Sequence, residues 1–344
     1  MAADGQAKVV AVLGAGSWGV TLARLLAENG NGVRLWCYLP EEYEMLSATR
    51  ERRDILPGVV LPNDVEISDD AAAVVSGAAA VFFVVPSFGV RPTAKAVRDA
   101  CDGSQLVVSA AKGLEEDTRL RMTEVLEKEL SGKARGYVSF SGPSHAEEVS
   151  RRIPTTVVAA CREESLAREA QDLAMTSYLR VYTNDDVVGV EYGAALKNVI
   201  AIAAGTVDGL GYGDNTKAAL LTRGLVEITR LGVARGAKPS TFAGLSGLGD
   251  LVVTCTSRHS RNRYVGEELG RGRRLDDILA SMKMVAEGVR TTKVAYELSR
   301  ETGVEMPITG EMYRVMFEGK DPRAAVFDLM TREPKSEAFG ATGG

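Results

Sequence analysis

Histidine is scarce in this chain: His145 and His259 are the only two in 344 residues, and neither has a partner at metal-ligand spacing. That pattern argues against a metal site. Cysteine is sparse as well. Cys37, Cys101, Cys161 and Cys255 are scattered with no CxxC pair, and Cys37, Cys161 and Cys255 end or sit within apolar runs. Such placement suits small buried thiols in a reducing compartment. An excess of positive charge is missing too. The net charge is −5, which argues against a broad nucleic-acid surface. The basic clusters at Arg151-Arg152 and at residues 271–274 read as solvated helix ends or turns. The opening Met1-Ala2-Ala3-Asp4 lacks the charged-then-apolar pattern of a secretory signal, so the expected location is the cytoplasm. What the chain does have is bulk. Its 344 residues suffice for two ordinary domains, and 45% hydrophobic with 25% charged residues describes a globular protein with a sizeable core.

The most informative short stretch is VVAVLGAGSWGVTLARLLAENG, residues 9–30. Residues 9–13 are short, apolar and largely β-branched, as in a buried strand. Gly14, Gly16 and Gly19 then fit G-x-G-x-x-G, and residues 21–28 continue with helical periodicity. In a dinucleotide fold the first glycine permits the turn. The second lets the backbone approach the pyrophosphate, and the third lets helix and strand pack closely. The diphosphate would lie on the helix N-terminus, where free N–H groups and the dipole favour negative charge. A second strand, residues 33–38, arrives on schedule. One element is absent. About 20 residues after such a loop an Asp or Glu usually bonds the adenosine ribose. The stretch Leu35-Trp36-Cys37-Tyr38-Leu39-Pro40 has neither an acid for NAD nor an Arg for the extra phosphate of NADP. Glu41 and Glu42 come late and read as facing water, so the choice between NAD and NADP stays open.

Further apolar runs at residues 78–85, 106–110, 137–140, 155–160 and 179–182 alternate with helical, charged stretches such as 120–130. Continuous apolar strands separated by helices predict a parallel sheet covered on both faces. Ligands bind outside the carboxyl ends of such strands, which selects Pro86, Ser87, Lys112, Gly142 and Ser144 as cleft-facing candidates. From about Asp186 the pattern becomes long and helix-like. The one later strand candidate, residues 251–254, fits a helix equally well. The expected fold is therefore α/β: a Rossmann-type parallel-sheet domain over residues 1–186, then a mostly α-helical substrate and catalytic domain over 187–335. Residues 336–344 read as a disordered tail. Residues 187–207 are apolar enough to suggest a membrane span. Lys197 near mid-span would cost on the order of 2.5–3.5 kcal/mol on insertion, which favours a central helix of a soluble domain.

Lys197 lies in Gly193-Ala194-Ala195-Leu196-Lys197-Asn198-Val199-Ile200, where the neighbours are small or apolar. Desolvation there lowers the affinity of the amine for a proton, and a lysine tuned to roughly 7–8 can exchange one with a substrate oxygen. Asp250 follows Gly244-Leu245-Ser246-Gly247-Leu248-Gly249. It reads either as a helix N-cap or as a carboxylate that balances Lys197. Ser260, Arg261, Asn262 and Arg263 open a helical segment, and an arginine-bearing helix start is either an anion site or a basic solvated turn. A dinucleotide loop, a buried lysine and an anion site together describe an NAD(P)-linked dehydrogenase acting on a small phosphorylated or acidic alcohol.

GAGSWG (14–19), AAKGLE (110–115), SGPSHAEE (141–148), GAALKNVIAIAAG (193–205), GLSGLGDL (244–251), SRNR (260–263) and VAEG (285–288) closely resemble the NAD(P)-dependent glycerol-3-phosphate dehydrogenase family, in order over nearly the whole chain. The resemblance implies interconversion of dihydroxyacetone phosphate and sn-glycerol 3-phosphate, which feeds glycerolipid synthesis. It implies Lys197 as general acid/base, with Lys112 and Asp250 also in the catalytic set. The substrate would meet Lys112, Gly142, Ser144, Lys197, Asp250, Ser260, Arg261 and Asn262. The cofactor, NAD or NADP, would meet Gly14, Gly16, Ser17, Trp18, Gly19, Tyr38, Lys112, Ala146, Arg261, Val285 and Glu287. The chain departs from the family at Tyr38-Leu39, where His or Arg is frequent, and at His145, where Phe is frequent. A rival enzyme class is the β-hydroxyacid dehydrogenases, which share the architecture and act on carboxylates. A rival of another kind is a regulator that binds the dinucleotide without turning it over. A homodimer is expected from the commonness of two-fold assemblies.

Overall fold

Alternation of side chains along short apolar strands builds the first half of the molecule. In the computed structural model, which describes residues 8–334, 336 and 337, the strands are β1 (Val9–Leu13), β2 (Gly32–Trp36), β3 (Glu66–Ser68), β4 (Ala80–Phe83), β5 (Leu106–Ser109), β6 (Gly136–Ser141), β7 (Thr155–Ala160) and β8 (Leu179–Asn184). The helices among them are α1 (Ser17–Glu28), α2 (Pro40–Thr49), α3 (Ala71–Val75), α4 (Ser87–Val97), α5 (Met122–Glu129), α6 (Ala146–Val149) and α7 (Glu164–Ala174). Val10 and Val12 of β1 pack into one apolar core, while Ala11 and Leu13 pack into another on the opposite face. Both faces are thus covered, as continuous apolar strands require.

The strand order is β3-β2-β1-β4-β5-β6-β7-β8. Pairing is parallel from β3 through to β6, and β7 then runs antiparallel to β6. The sheet is thus parallel as expected except at this one reversal. A parallel crossover needs a connection of a dozen or more residues, usually with a helix to carry it back along the sheet. The only helix between β6 and β7 is the four-residue α6, which carries the chain no more than about 6 Å, and the chain turns back at the end it has just reached. β8 is parallel to β7, joined to it through the 11-residue α7. β3 is a further strand that the sequence reading missed, three residues long.

The second half is helical: α8 (Val187–Gly209), α9 (Asp214–Ala234), α10 (Asp250–Thr256), α11 (Arg261–Gly270), α12 (Leu275–Ala280), α13 (Glu287–Thr302), α14 (Pro307–Phe317) and α15 (Pro322–Met330). Residues 251–254, the ambiguous run, are helical within α10. α8 is the axle. By length and composition it could cross a membrane, yet 89% of its most apolar window is buried inside the protein. Its small residues let neighbours approach to backbone contact. A Cβ on Gly205 would stand 1.9 Å from the Arg263 carbonyl oxygen of α11, and one on Gly266 would stand 1.8 Å from the Ile202 oxygen of α8. α8 is also tied to the sheet half. The buried Glu191 carboxylate accepts from the Thr123 N–H (2.9 Å), the Thr123 hydroxyl (2.6 Å) and Arg121 Nη1 (2.5 Å) at the start of α5. All four cysteines are buried and unpaired. The tail expected at 336–344 lies, apart from residues 336 and 337, outside the described residues.

Candidate active site

The ends of β1, β5 and β6 and the faces of α8, α10 and α11 converge on one cleft. At the end formed by the glycine turn after β1, Gly14 takes φ +116°, a left-handed conformation that suits glycine. A Cβ on Gly19 would collide with the Gly14 carbonyl oxygen at 1.8 Å, so only glycine lets α1 start this close to the turn. Gly16 differs: no atom lies within 4 Å of its missing side chain. Ser17 and Trp18 open α1 with no side-chain cap, which leaves the first-turn N–H groups available. Open space above an uncapped helix start fits a pyrophosphate.

The lysine pair sits at the centre. Lys197 is 4% exposed and Asp250 1% exposed. Lys197 Nζ donates to Asp250 Oδ1 and, at 2.7 Å, to the Thr254 hydroxyl. Lys112 Nζ donates to Asp250 Oδ2 at 3.0 Å and to the Gly142 carbonyl at 2.8 Å, with Ser144 Oγ at 3.5 Å. Asp250 therefore bridges two ammonium groups, one delivered by β5 and one by α8. It is the first residue of α10 and makes no capping bond, so the N-cap reading is set aside. Residues Leu245–Gly249 before it form a π-helical turn that turns Asp250 inward.

Burial is the largest influence on Lys197, and with Lys112 nearby it pulls the amine down to about 7 against the opposing field of Asp250. Burial alone would raise the Asp250 carboxyl, but the two lysines outweigh it and hold it below the usual carboxylate range. His145 is pulled down to about 4 by burial and by the same lysines, so its ring is neutral at pH 7. Its Nε2 is buried without a hydrogen-bond partner, and its ring lies 6.1 Å from that of His259.

A relay of amides joins the lysines to the start of α11. Asn198 Nδ2 donates to the Lys112 carbonyl at 3.3 Å, Asn262 Nδ2 donates to Asn198 Oδ1 at 2.9 Å, and Gly288 N–H donates to Asn262 Oδ1 at 2.8 Å. Ser260 caps α11, its Oγ accepting from the Arg263 N–H at 3.2 Å. Arg261 is the first residue of α11 and exposed. Glu287 accepts from the Ser87 N–H (2.8 Å) and hydroxyl (2.5 Å), clamping the start of α13 to the start of α4. Burial raises its carboxyl against those bonds. Ala146 is the first residue of α6, and Val285 lies just before α13. The neighbouring Met284 reaches back to Ser17, with 3.6 Å between sulfur and hydroxyl. Tyr38 stands apart from the lysines. It follows β2, is 71% exposed, and packs edge-on to Trp36.

The sequence family described as the NAD-dependent glycerol-3-phosphate dehydrogenase N-terminus matches residues 9–167, and its C-terminal counterpart matches residues 186–327. The chain belongs to this family. It is similar to the glycerol-3-phosphate dehydrogenase (NAD(P)+) of Chlorobium limicola, 54% identical over 96% of this chain and 99% of that relative. It is also similar to the namesake enzyme of Geobacillus kaustophilus, 52% identical over 95% of this chain and 96% of the relative. Among solved structures, a glycerol-3-phosphate dehydrogenase from Coxiella burnetii superposes with a TM-score of 0.91 at 37% identity, covering 95% of this chain and 99% of that one. A ketopantoate reductase from Ralstonia eutropha shares the fold alone, with a TM-score of 0.61 at 19% identity. Membership makes the chain an NAD(P)-dependent oxidoreductase.

Within the glycerol-3-phosphate dehydrogenase frame, three groups went unread in the sequence. Thr254 is four residues after Asp250, so both face Lys197 from one side of α10, a spacing that was there to find. Asn198 adjoins Lys197 and bonds the Lys112 backbone. Glu42, taken as solvent-facing, instead pairs with Arg52 at 2.8 Å, a partner ten residues on with no periodic signal to announce it.

Proposed function

We propose that this chain interconverts dihydroxyacetone phosphate and sn-glycerol 3-phosphate, with Lys197 as the general acid/base, and so feeds glycerolipid synthesis. The observation that carries the reading is the buried Lys197 amine held by Asp250 and Thr254 within reach of Lys112. An ammonium has three donors, and these two partners leave the third for a substrate oxygen. A bound nicotinamide supplies or accepts the hydride at the substrate's carbonyl carbon. In the reducing direction Lys197 donates its proton to the ketone oxygen, and in the oxidising direction it takes the hydroxyl proton back. An amine poised near neutrality serves both directions. Lys112 stabilises the negative charge that develops on that oxygen. Asp250 stays ionised, balances both ammonium groups and fixes where they point.

The substrate phosphate is assigned to the start of α11, where the helix terminus, Ser260, Arg261 and Asn262 present donors. Gly142 and Ser144 line the substrate's other side. Gly14, Gly16, Ser17, Trp18, Gly19, Tyr38, Ala146, Val285 and Glu287 are assigned to the dinucleotide, with Lys112 and Arg261 shared between the two ligands. In this reading residues 1–186 hold the dinucleotide and 187–335 complete the substrate site, in a homodimer.

Lys197→Met tests the role of the amine. NADH binding measured by titration should persist while turnover of dihydroxyacetone phosphate drops by about 1,000-fold or more. Turnover within tenfold of the unmodified enzyme would remove Lys197 from proton transfer. A panel of 2- and 3-oxo acids run beside dihydroxyacetone phosphate separates this substrate from a carboxylate.

A further inference from the structure

The adenosine end of the cleft holds a charge cluster that replaces the acid missing from β2. Arg52 is 6% exposed. Its Nη1 donates to the Ala15 carbonyl at 2.6 Å and to Glu42 Oε1 at 2.8 Å. Its Nε and Nη2 donate to the two oxygens of Asp54, each at 2.9 Å. Ala15 is the residue between Gly14 and Gly16, and Glu42 also accepts from the Leu39 N–H just beyond β2 at 3.4 Å. Gly14 N–H in turn donates to the Trp36 carbonyl at 3.2 Å. The cluster therefore spans the ends of β1 and β2, the crevice in which a dinucleotide fold bonds its adenosine ribose.

One guanidinium and two carboxylates sum to −1. Four of the guanidinium's five N–H groups are engaged by those carboxylates and the loop carbonyl, so it has little left to offer an incoming anion. The carboxylates keep acceptor capacity, with side-chain exposures of 14% for Glu42 and 31% for Asp54. Two other cations stand nearby. Arg53 is 68% exposed and pairs with Glu51, and Lys283, on the loop before α13, acts on Asp54 through its field.

We propose that Glu42, Arg52 and Asp54 are the specificity determinant for the adenosine ribose, and that they make this enzyme prefer NAD(H) over NADP(H). The inference rests on reading the 14–19 loop as a dinucleotide site. A ribose diol can donate its hydroxyl protons to the free carboxylate lone pairs. A 2′-phosphate brings about −1.5 to −2 of charge against a cluster that is already negative. To win Arg52 it must strip away Asp54 or Glu42 and leave a carboxylate without its cation, which is costly in a half-buried place.

Isothermal titration of the full chain with NADH, NADPH, ADP-ribose and 2′-phospho-ADP-ribose, each alone, is the test. NADH should bind about tenfold or more tightly than NADPH, and ADP-ribose should beat its phosphorylated form by a similar ratio. In Glu42→Gln/Asp54→Asn the cluster carries +1, and the ratio should move by about tenfold or more toward the phosphorylated ligands. Should the double variant fail to fold by circular dichroism, Asp54→Asn alone should move the ratio the same way by a smaller amount. Lys283→Ala should leave the ratio within about twofold; a larger change would move the determinant to that loop and overturn the proposal. Equal or tighter binding of NADPH by the unmodified chain, or an unmoved ratio in the folded variants, would also overturn it. Failure to bind either dinucleotide would instead strike the reading of the glycine loop.

Discussion

Glycine does opposite jobs in the two halves of this molecule. At Gly16, in the sheet half, the missing side chain faces open space with no atom inside 4 Å, whereas Gly19 beside it makes room for the Gly14 backbone. In the helical half glycine clears space for protein. Gly205 and Gly266 let α8 and α11 touch backbone to backbone, which holds Asn262 of α11 against Asn198 of α8. The first use shapes a binding surface. The second sets the distance between two elements that each carry part of the site. An added methyl should therefore harm affinity at Gly16 and stability at Gly266.

Where the halves meet, one carboxylate is shared by a lysine from each, and removing it should have the largest effect. Asp250→Asn leaves Lys112 and Lys197 facing each other without their shared carboxylate. Turnover should fall by about 100-fold or more. The apparent pKa of turnover, read from a pH series, should drop below about 7, because the field of Asp250 works to raise the Lys197 value. Next comes the helical seam. Gly266→Ala should cost about 1–3 kcal/mol or more in stability, since the added carbon meets backbone 1.8 Å away rather than a side chain that can swing aside. A calorimetric melt measures it. Gly16→Ala is the counterpart: its melt should move by less than about 1 kcal/mol, while NADH affinity falls by roughly tenfold. If both alanines damage stability alike, the contrast between the halves fails.

A separate, pH-dependent effect concerns a buried acid of the helical half. Glu227 of α9 accepts from Ile308 N–H (2.6 Å) and Thr309 N–H (3.2 Å) at the start of α14, and burial pushes its carboxyl up to about 7 against those bonds. The folded state thus holds this proton more tightly than the unfolded chain. Its stabilising contribution is complete below the ordinary value of 4.5 and is lost as pH rises through about 7. Denaturant titrations across that window should show a slope of up to about 1.4 kcal/mol per pH unit that Glu227→Gln removes.

The contrast also explains what could be read in advance. The glycine turn between β1 and α1 was legible because its signals are local: strand, turn and helix start all fall within the 20 residues VVAVLGAGSWGVTLARLLAE. The burial of Lys197 was legible because a lysine flanked by small and apolar residues has few ways out to water. The direction of β7 was not, since an apolar run reads the same whichever way it pairs. Nor was the union of Glu42, Arg52 and Asp54, because ion pairs across an irregular loop leave no period in the sequence. Asp250 could be flagged as a charge worth explaining, but its two readings separate only once the direction of its carboxylate is known.

The reversal at β7 governs how deep the amine reaches. Because β7 and β8 run against the other strands, β8 hands the chain over at the rim opposite the cleft. α8 must then travel back beneath the sheet's edge, and Lys197, ten residues after Val187, arrives after about 15 Å of rigid rod. The nitrogen is thereby mounted on a strut anchored at its far end instead of on a hinge. Excising one helical turn from that strut would withdraw it by about 5.4 Å, farther than any side-chain rotation could restore.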